Sequence, residues 1–241
     1  MLGSLLDRAH LMPARLVGPL VAQEIAAVGG SDISIWLQDY DQRTLHPLTG
    51  PGLVGTSTPI ADSWPGRAFT QDARIEQRLP DGSVRLYLPM LDGSDRVGVL
   101  AFTLSGVDDD DRRLAQRLAG LTADLIVTKS MYTGTFARVR TAAPMSLSAH
   151  LQWQTLPPLS MTTPDVDLAG ILEPAYEVGG DSFDYAFNEH RAGHRQRRQR
   201  LPLQVRGEAQ RSDGAHPGEG VGVVVVPVSY THLTLPTNRE V

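Results

Sequence analysis

The sequence predicts an α+β protein, and three observations support that prediction. Apolar residues recur at helical spacing within the first 28 residues. Apolar residues alternate with other types at 33–37 and again within 84–104, a pattern typical of strands. A second helical stripe follows the acidic run 108–111. The order helix, strands, loop, hairpin, helix over residues 1–130 is typical of the α+β class.

The N-terminal region is predicted to be an interrupted helix. Pro13 and Pro19 argue against one straight helix, because proline removes a backbone donor and crowds the preceding turn. The glycine pair Gly29 and Gly30 is predicted to end it. The apolar positions that define its buried stripe are Leu16, Leu20, Val21 and Ile25.

Two strands are predicted to follow the glycine pair. Residues 33–37 place Ser34 and Trp36 between apolar positions, which is typical of a strand with one buried face. Residues 43–48 are the predicted partner strand, reached through a turn at 39–42. The two strands are therefore expected to be neighbours.

A loop, a short helix and a hairpin are predicted next. Residues 49–66 are rich in glycine and proline and predict a loop, and residues 66–71 predict a short helical segment. Strands are predicted at 84–90 and 97–104. The turn sequence Asp-Gly-Ser-Asp at 92–95 joins them and indicates a hairpin.

The acidic run 108–111 is predicted to cap a long helix. Carboxylates at a helix start accept backbone N–H groups and interact favourably with the positive end of the helix dipole. A metal site is the alternative interpretation of the run. The helix is expected to reach about Ser130, and Pro144 ends any continuation. Its predicted apolar face consists of Leu114, Leu118, Leu121, Leu125 and Ile126.

Residues 1–130 resemble a GAF domain. The segments that support the resemblance are the two-strand start at 32–48, the sequence PGRAFTQ at 65–71, and LPMLDG followed by VGVLAF within 88–102. GAF domains are small sensory modules that bind ligands or pair with one another, so the resemblance implies a sensory domain that could form a homodimer. Residues 131–150 are then a connecting segment.

Composition excludes several classes of function. The net charge of −5 argues against a general nucleic-acid binder. Without cysteine the chain has neither a disulfide nor a thiol nucleophile. No stretch approaches the roughly 18 apolar residues of a membrane span, and no signal peptide is predicted. The expected location is therefore the cytoplasm.

The sequence changes character after residue 147. Residues 147–156 predict a short amphipathic helix that ends at a proline pair. Residues 168–176 predict a strand, and the turn at 177–180 leads into a second predicted strand at 181–187. The turn contains a glycine pair, and two carboxylates follow it closely, a spacing that suits a hard divalent cation.

Residues 151–189 resemble the start of an RsbU/SpoIIE-type phosphatase domain of the PPM family of metal-dependent serine/threonine phosphatases. The family has an α/β-sandwich fold, and a GAF domain often precedes the phosphatase domain. The motifs that support this resemblance, in chain order, are the start at Leu151-Gln152, then Leu156-Pro157, Leu168-Ala169-Gly170, Glu173-Pro174-Ala175 and Val178-Gly179-Gly180-Asp181 followed by Phe183-Asp184.

The resemblance implies two-metal hydrolysis of a phosphoserine or phosphothreonine. Two Mn²⁺ or Mg²⁺ ions would activate a bridging water and clamp the phosphoryl oxygens. Asp181 is then a metal ligand, Gly179 and Gly180 form the turn at the metal site, and Asp184 has a supporting role. A solvated or capping Asp184 is the alternative. The implied substrate is a phosphorylated regulatory protein such as an anti-sigma-factor antagonist.

The motif that completes the metal site in this family, approximately Asp-x-x-Gly-His-Gly, is missing after residue 189. Residues 190–227 are instead rich in arginine, and three interpretations compete: a nucleic-acid-binding tail, a genuine insertion, and a shifted reading frame. The shifted frame is favoured, because residues 228–241 begin with a sequence that looks like a translated transposase adapter. Residues 190–241 are therefore predicted to be a disordered tail.

Three hypotheses of function follow from the sequence, and the third is a nucleic-acid binder that acts through the arginine-rich tail. The first is a GAF-regulated protein phosphatase, of which this chain is an inactive fragment because most metal ligands are missing. The alternative is a GAF ligand-binding or dimerisation module without enzyme activity.

Overall fold

The computed structural model describes residues 2–9, 12–93 and 95–162, together with 167–169, 172, 175–178, 184–186, 204–206, 210–211 and 224–225. The chain divides into two compact units, Met1–Pro144 and Met145–Val241.

The first unit combines five helices with six strands among its described residues. Its helices are α1 (Leu2–Ala9), α2 (Val17–Ala26), α3 (Trp64–Gln71), α4 (Asp109–Ser130) and α5 (Thr135–Val139), with a 3₁₀ turn at Ala14–Leu16. Its strands are β1 (Ser31–Gln38), β2 (Thr44–Pro47), β3 (Thr58–Pro59), β4 (Ile75–Arg78), β5 (Val84–Asp92) and β6 (Asp95–Leu104). The predicted α+β class is confirmed, as are the interrupted N-terminal helix and the β5–β6 hairpin.

All six strands form one antiparallel sheet in the order β3-β2-β1-β6-β5-β4. Strands β1 to β3 form one half of the sheet, and strands β4 to β6 form the other. The pairing of β1 with β6 joins the two halves. The short strand β4 at the edge was missed by sequence analysis. Its sequence IEQR has one strongly apolar residue, and its side chains are half-buried or exposed.

The main core lies between one face of the sheet and the helices α2 and α4. The sheet contributes side chains that are at most 1% exposed, among them Ile35, Leu37, Leu88 and Leu100. Leu20, Val21 and Ile25 of α2 are buried as predicted, whereas Leu16 is 38% exposed in the 3₁₀ turn. Burial of such side chains contributes roughly 1.5–3 kcal/mol each.

The prediction that β1 has one exposed face is wrong. Ser34 is 1% exposed and Trp36 is 5% exposed, although both point away from the main core. A second, smaller apolar cluster covers that face and includes Trp36, Phe69 and Tyr87. Alternate residues of β1 therefore face two different buried environments, the main core and the second apolar cluster.

A capping box begins α4, as the acidic run predicted. The backbone N–H of Asp111 donates to the Asp108 carboxylate at 2.8 Å, and the backbone N–H of Asp108 donates to the Asp111 carboxylate at 3.1 Å. The first of these bonds is the largest influence that lowers the pKa of Asp108. Because both bonds of the capping box form, the run is assigned to capping.

The buried stripe of α4 differs from the predicted leucine face. Leu118 and Ile126 are buried, but Leu114, Leu121 and Leu125 are only half-buried. Small residues occupy the centre of the contact with the sheet, because they allow the helix to approach it closely. The buried positions of the helix are Ala115, Leu118, Ala119, Thr122, Ala123, Ile126 and Lys129.

The residues between α4 and the end of the first unit pack against the rest of that unit. Phe136 of α5 is 2% exposed and belongs to the main core. Arg140 donates from Nε to the Gln38 carbonyl at 2.9 Å, and its guanidinium lies 4.6 Å from the centre of the Tyr40 ring. The compact first unit ends at residue 144, and the limit of 130 predicted for the GAF-like domain stays a prediction.

The second unit contains α6 (Leu147–Thr155) and short strands in its described parts. These strands are β7 (Ser160–Thr162), β8 (Asp167–Ala169), β9 (Asp184–Ala186), β10 (Gln204–Arg206), β11 (Gln210–Arg211) and β12 (Val224–Val225). They pair antiparallel as β7 with β8, β9 with β10 and β11 with β12. The predicted helix 147–156 is confirmed, although Leu147 and Leu151 are 74% and 53% exposed.

The strand predicted at 168–176 is wrong at its C-terminal end. Ala175 and Tyr176 lie in a bend. Their carbonyl groups accept hydrogen bonds from Trp153 Nε1 at 2.7 Å and from the backbone N–H of Ser146 at 3.3 Å. These groups therefore bond to α6 and its N-cap. The domain limits 151–189 and 190–241 stay predictions, since residues 187–203 and most of those beyond lie outside the described parts.

No helix among the described residues is both long enough and apolar enough to cross a lipid bilayer.

Gly98 permits the close pairing of β1 with β6. A Cβ atom at this position would collide with the Trp36 carbonyl oxygen on the neighbouring strand. Gly98→Ala should therefore lower the free energy of unfolding by about 1–3 kcal/mol or more. Gly106→Ala is the matched control, because nothing lies within 4 Å of its Cβ position. Denaturant unfolding of both variants checks the prediction, and equal stabilities would contradict it.

Candidate functional site

The second face of the sheet holds the candidate site, which we name the aromatic face. It is the cluster Trp36, Leu45, Ala68, Phe69, Tyr87, Val99 and Ala101, with Ile60 and Ile75 packed against it. Strands β1, β2, β5 and β6 supply its floor, and α3 supplies Ala68 and Phe69 as a cover. Because the sheet separates it from the main core, the aromatic face is a distinct apolar environment.

Local sequence fixes α3 over this face. The Ser63 hydroxyl accepts the Gly66 N–H at 3.0 Å and so caps the helix. A Cβ atom on Gly66 would collide with the Ile60 carbonyl group, so glycine lets the helix rest on the preceding loop. At the other end, Asp72 adopts a left-handed backbone with φ 48° and receives two 2.7 Å hydrogen bonds from Arg96 of β6.

Trp36 forms a hydrogen bond that holds the loop preceding α3 against the same face. Its indole Nε1 donates to the Thr56 carbonyl at 2.9 Å. This bond satisfies the single polar atom of a side chain that is otherwise buried in apolar surroundings. The loop predicted at 49–66 is thereby held against the sheet.

Two stacked aromatic rings, each with a guanidinium over it, lie at the rim of the aromatic face. We name these four side chains the rim cluster: Trp64, Arg67, Arg85 and Tyr87. The Trp64 and Tyr87 rings stack with centroids 6.4 Å apart and planes inclined by 12°. The guanidinium of Arg67 lies 5.0 Å from the Trp64 ring centre, and that of Arg85 lies 5.5 Å from the Tyr87 ring centre. Trp64 remains 39% exposed, so ligands can reach this rim.

Hydrogen bonds to three strands hold Arg85 in place. Its Nη1 donates to the Asp32 carbonyl at 2.7 Å and to the Thr103 hydroxyl at 3.2 Å, and Nη2 donates to the Ser34 hydroxyl at 2.9 Å. Asp32 adopts a left-handed backbone with φ 49° beside an irregularity in the pairing of β1 with β6. Arg85 therefore stabilises the start of β1 as well as the rim.

Glu76, the acidic residue of β4, already forms ion pairs with two arginines. Glu76 accepts hydrogen bonds from Arg112 at 2.8 and 3.1 Å and from Arg74 at 2.9 Å. The bond with Arg112 is the largest influence on the pKa of Glu76, which is lowered. By contrast, neither Arg67 nor Arg85 forms an ion pair with a carboxylate in the part of the chain that is described.

A groove of about 600 Å³ lies elsewhere in the first unit, between α2, the start of β1 and the loop at Pro51 and Gly52. It is lined mainly by apolar side chains, and its polar lining includes Arg8, which pairs with Glu24 at 2.9 Å. The rim cluster differs from this groove because its two cations have no carboxylate partner among the described residues.

The described structure does not test the metal site predicted from the sequence. Asp181, Gly179 and Gly180 lie outside the described residues. Asp184 lies in β9, where its register partner is Arg206 of β10. Their roles in binding Mn²⁺ or Mg²⁺ stay predictions.

Sequence analysis missed the rim cluster. Its only local signals are the spacing of Trp64 and Arg67, which places them on one face of a helix, and the spacing of Arg85 and Tyr87, which places them on one face of a strand. The contact between these two pairs depends on the tertiary fold.

Solved structures similar to this chain include several GAF domains. One is the GAF domain of a phosphoenolpyruvate-protein phosphotransferase from Coxiella burnetii, with 12% identity over 54% of this chain and 92% of that one, at a TM-score of 0.47. Its Acinetobacter counterpart has 12% identity over the same shares, at a TM-score of 0.46. The second GAF domain of DevS from Mycobacterium smegmatis has 19% identity over 49% of this chain and 96% of that one, at a TM-score of 0.41. No protein-family model and no curated protein matches the chain.

Proposed function

We propose that the first unit is a regulatory module of the GAF type that binds a small molecule at the aromatic face. The observation that supports the proposal is where the three GAF-like sequence segments lie. Residues 65–71 fall in α3, residues 88–102 span the β5–β6 hairpin, and residues 32–48 span β1 and β2. All three contribute side chains to the aromatic face.

Two glycines in those segments have a physical role that supports the same proposal. Gly66 allows α3 to lie on the loop, and Gly98 allows β1 and β6 to pair closely. The short motifs therefore correspond to close contacts around one face. A cluster with a half-exposed aromatic rim suits a ligand site, because apolar surface and a few polar groups converge there.

We further propose that the region after the first unit is the start of a PPM-type protein phosphatase domain. The ordered motifs between residues 151 and 184 support this proposal. The parent protein would remove phosphate from serine or threonine of a regulatory protein, such as an anti-sigma-factor antagonist. Two Mn²⁺ or Mg²⁺ ions would activate the attacking water, and the GAF-type module would control that activity in the cytoplasm.

A ligand at the aromatic face should change the fluorescence of Trp64. The chain has three tryptophans, Trp36, Trp64 and Trp153, and Trp64 is the half-exposed one at the rim. Small molecules that raise the melting temperature should alter the emission of the full chain, and Trp64→Phe should remove most of that change. Trp153→Phe is the matched control and should preserve it. An emission change that survives Trp64→Phe and is removed by Trp153→Phe would place binding outside the aromatic face.

The full chain should not hydrolyse p-nitrophenyl phosphate in the presence of Mn²⁺. The later family motif that would supply further metal ligands is missing from this sequence. We therefore expect that Asp181 does not become part of a two-metal centre in this chain. The release of nitrophenolate over time measures the activity. Robust turnover that Asp181→Ala abolishes would contradict the prediction and would show that other residues complete the site.

The alternative function is a dimerisation module without enzyme activity. The observation that favours it is the position of Leu114, Leu121 and Leu125, which flank the buried stripe of α4 and remain half-buried. A second copy of the same helix could cover them in a homodimer. Such a contact would be isologous, with the same surface on both partners.

Sedimentation of the full chain tests the dimer. The expected mass is that of two chains, and Leu114→Glu should shift the equilibrium towards monomer because it introduces a charge into the apolar contact. Gln116→Glu makes the same change of charge at an exposed position of the same helix and serves as the control. A strictly monomeric wild-type chain would rule the alternative out.

A further inference from the structure

Arg85 carries a charge that its described surroundings do not neutralise. The side chain is half-buried, and its three acceptors are a backbone carbonyl and two hydroxyl groups. A partly desolvated cation ordinarily pairs with an anion, because neutral acceptors recover only part of its hydration. The described residues provide no such anion at Arg85.

Other arginines of the first unit show how a guanidinium binds an anion in this fold. Arg96 uses Nε and Nη2 to hold both carboxylate oxygens of Asp72, at 2.7 Å each. Arg112 uses the same two nitrogens to hold Glu76, at 2.8 and 3.1 Å. In Arg85, Nη1 makes two bonds and Nη2 makes one, which leaves Nε and one Nη2 hydrogen without an acceptor in the described structure.

Arg85 is also fixed before any ligand arrives. Its hydroxyl partners belong to Ser34 and Thr103, which are 1% and 5% exposed, and its guanidinium lies over the Tyr87 ring. A side chain held in this way loses little conformational entropy when it binds, and that loss is a main cost of association.

A second cation and an accessible ring lie at the same rim. Arg67 is exposed and lies over Trp64, and Trp64 stacks on Tyr87. The partly exposed Trp64 ring offers apolar surface to a planar ligand. The rim therefore combines two stacked aromatic rings with two guanidinium groups that no described carboxylate neutralises.

We propose that the rim cluster binds a small planar-ring ligand through its oxyanion group, a carboxylate or a phosphate, with Arg85 as the principal cation and Arg67 as the second. The proposal rests on the proposed function, since it gives the chemical class of the ligand at the aromatic face. A planar guanidinium binds either oxyanion through two parallel hydrogen bonds.

Three ligands with the same ring test the proposal by isothermal titration against the full chain: benzoate, phenyl phosphate and phenol. At least one of the two anions should bind saturably, and phenol should bind at least about tenfold more weakly because it lacks the charged group. The anion that binds more tightly identifies the source of the oxyanion. Saturable binding of neither anion, or equal binding of phenol, would overturn the proposal.

Substitutions at the rim locate the binding site. Arg85→Gln should raise the dissociation constant of the tighter anion by about tenfold to a hundredfold. Arg85→Lys should also weaken binding, because an ammonium group cannot offer the bidentate pair. Arg78→Gln removes an exposed arginine from β4 and should leave the affinity unchanged. A folded Arg85→Gln variant with wild-type affinity would overturn the proposal.

Arg67→Gln keeps the proposal testable if Arg85 variants do not fold. Arg67 is exposed, so its substitution should preserve the melting temperature while it weakens anion binding by a smaller factor. Unchanged affinity in both the Arg67→Gln and Arg85→Gln variants would place the anion elsewhere. A neutral molecule that alters Trp64 emission and binds these variants normally would support the proposed function and overturn only the anion proposal.

Discussion

The pairing of β1 with β6 is the constraint on which the rest of the first unit depends. It joins the β1–β2 and β5–β6 halves into one antiparallel sheet, and Gly98 permits the close approach of the two strands. A single sheet then presents one face to α2 and α4 and the other to α3. Without this junction neither the main core nor the aromatic face would have a continuous floor.

The two faces of the sheet differ in a way that suits different roles. The main core is large and receives side chains from α1, α2, α4 and α5. The aromatic face is smaller, and Trp64, the first residue of the short helix α3, remains accessible at its rim. The accessible ring therefore lies at the aromatic face and not at the main core.

Local signals predicted much of this fold, and long-range contacts account for most of what they missed. The capping box of α4 and the β5–β6 hairpin depend on residues close in sequence, so the pattern identified them. The burial of Ser34 and Trp36 depends on elements distant in sequence, and alternation cannot distinguish a second core from solvent. The rim cluster was missed because the helix pair and the strand pair that form it meet only in the tertiary fold, where Trp64 stacks on Tyr87. The metal-site prediction instead rests on family resemblance.

Arg85 has a structural role that is compatible with a role in binding. Its Nη1 atom bonds to the Asp32 carbonyl, where φ is 49°, a conformation that a non-glycine residue adopts at a cost of about 1 kcal/mol or more. That bond helps to offset the strain at the start of β1. The Nε atom lies at the opposite edge of the same planar group and takes no part in it. Because the two edges use different hydrogens, an anion at Nε would neutralise the charge at the rim without displacing the contacts that hold the strand.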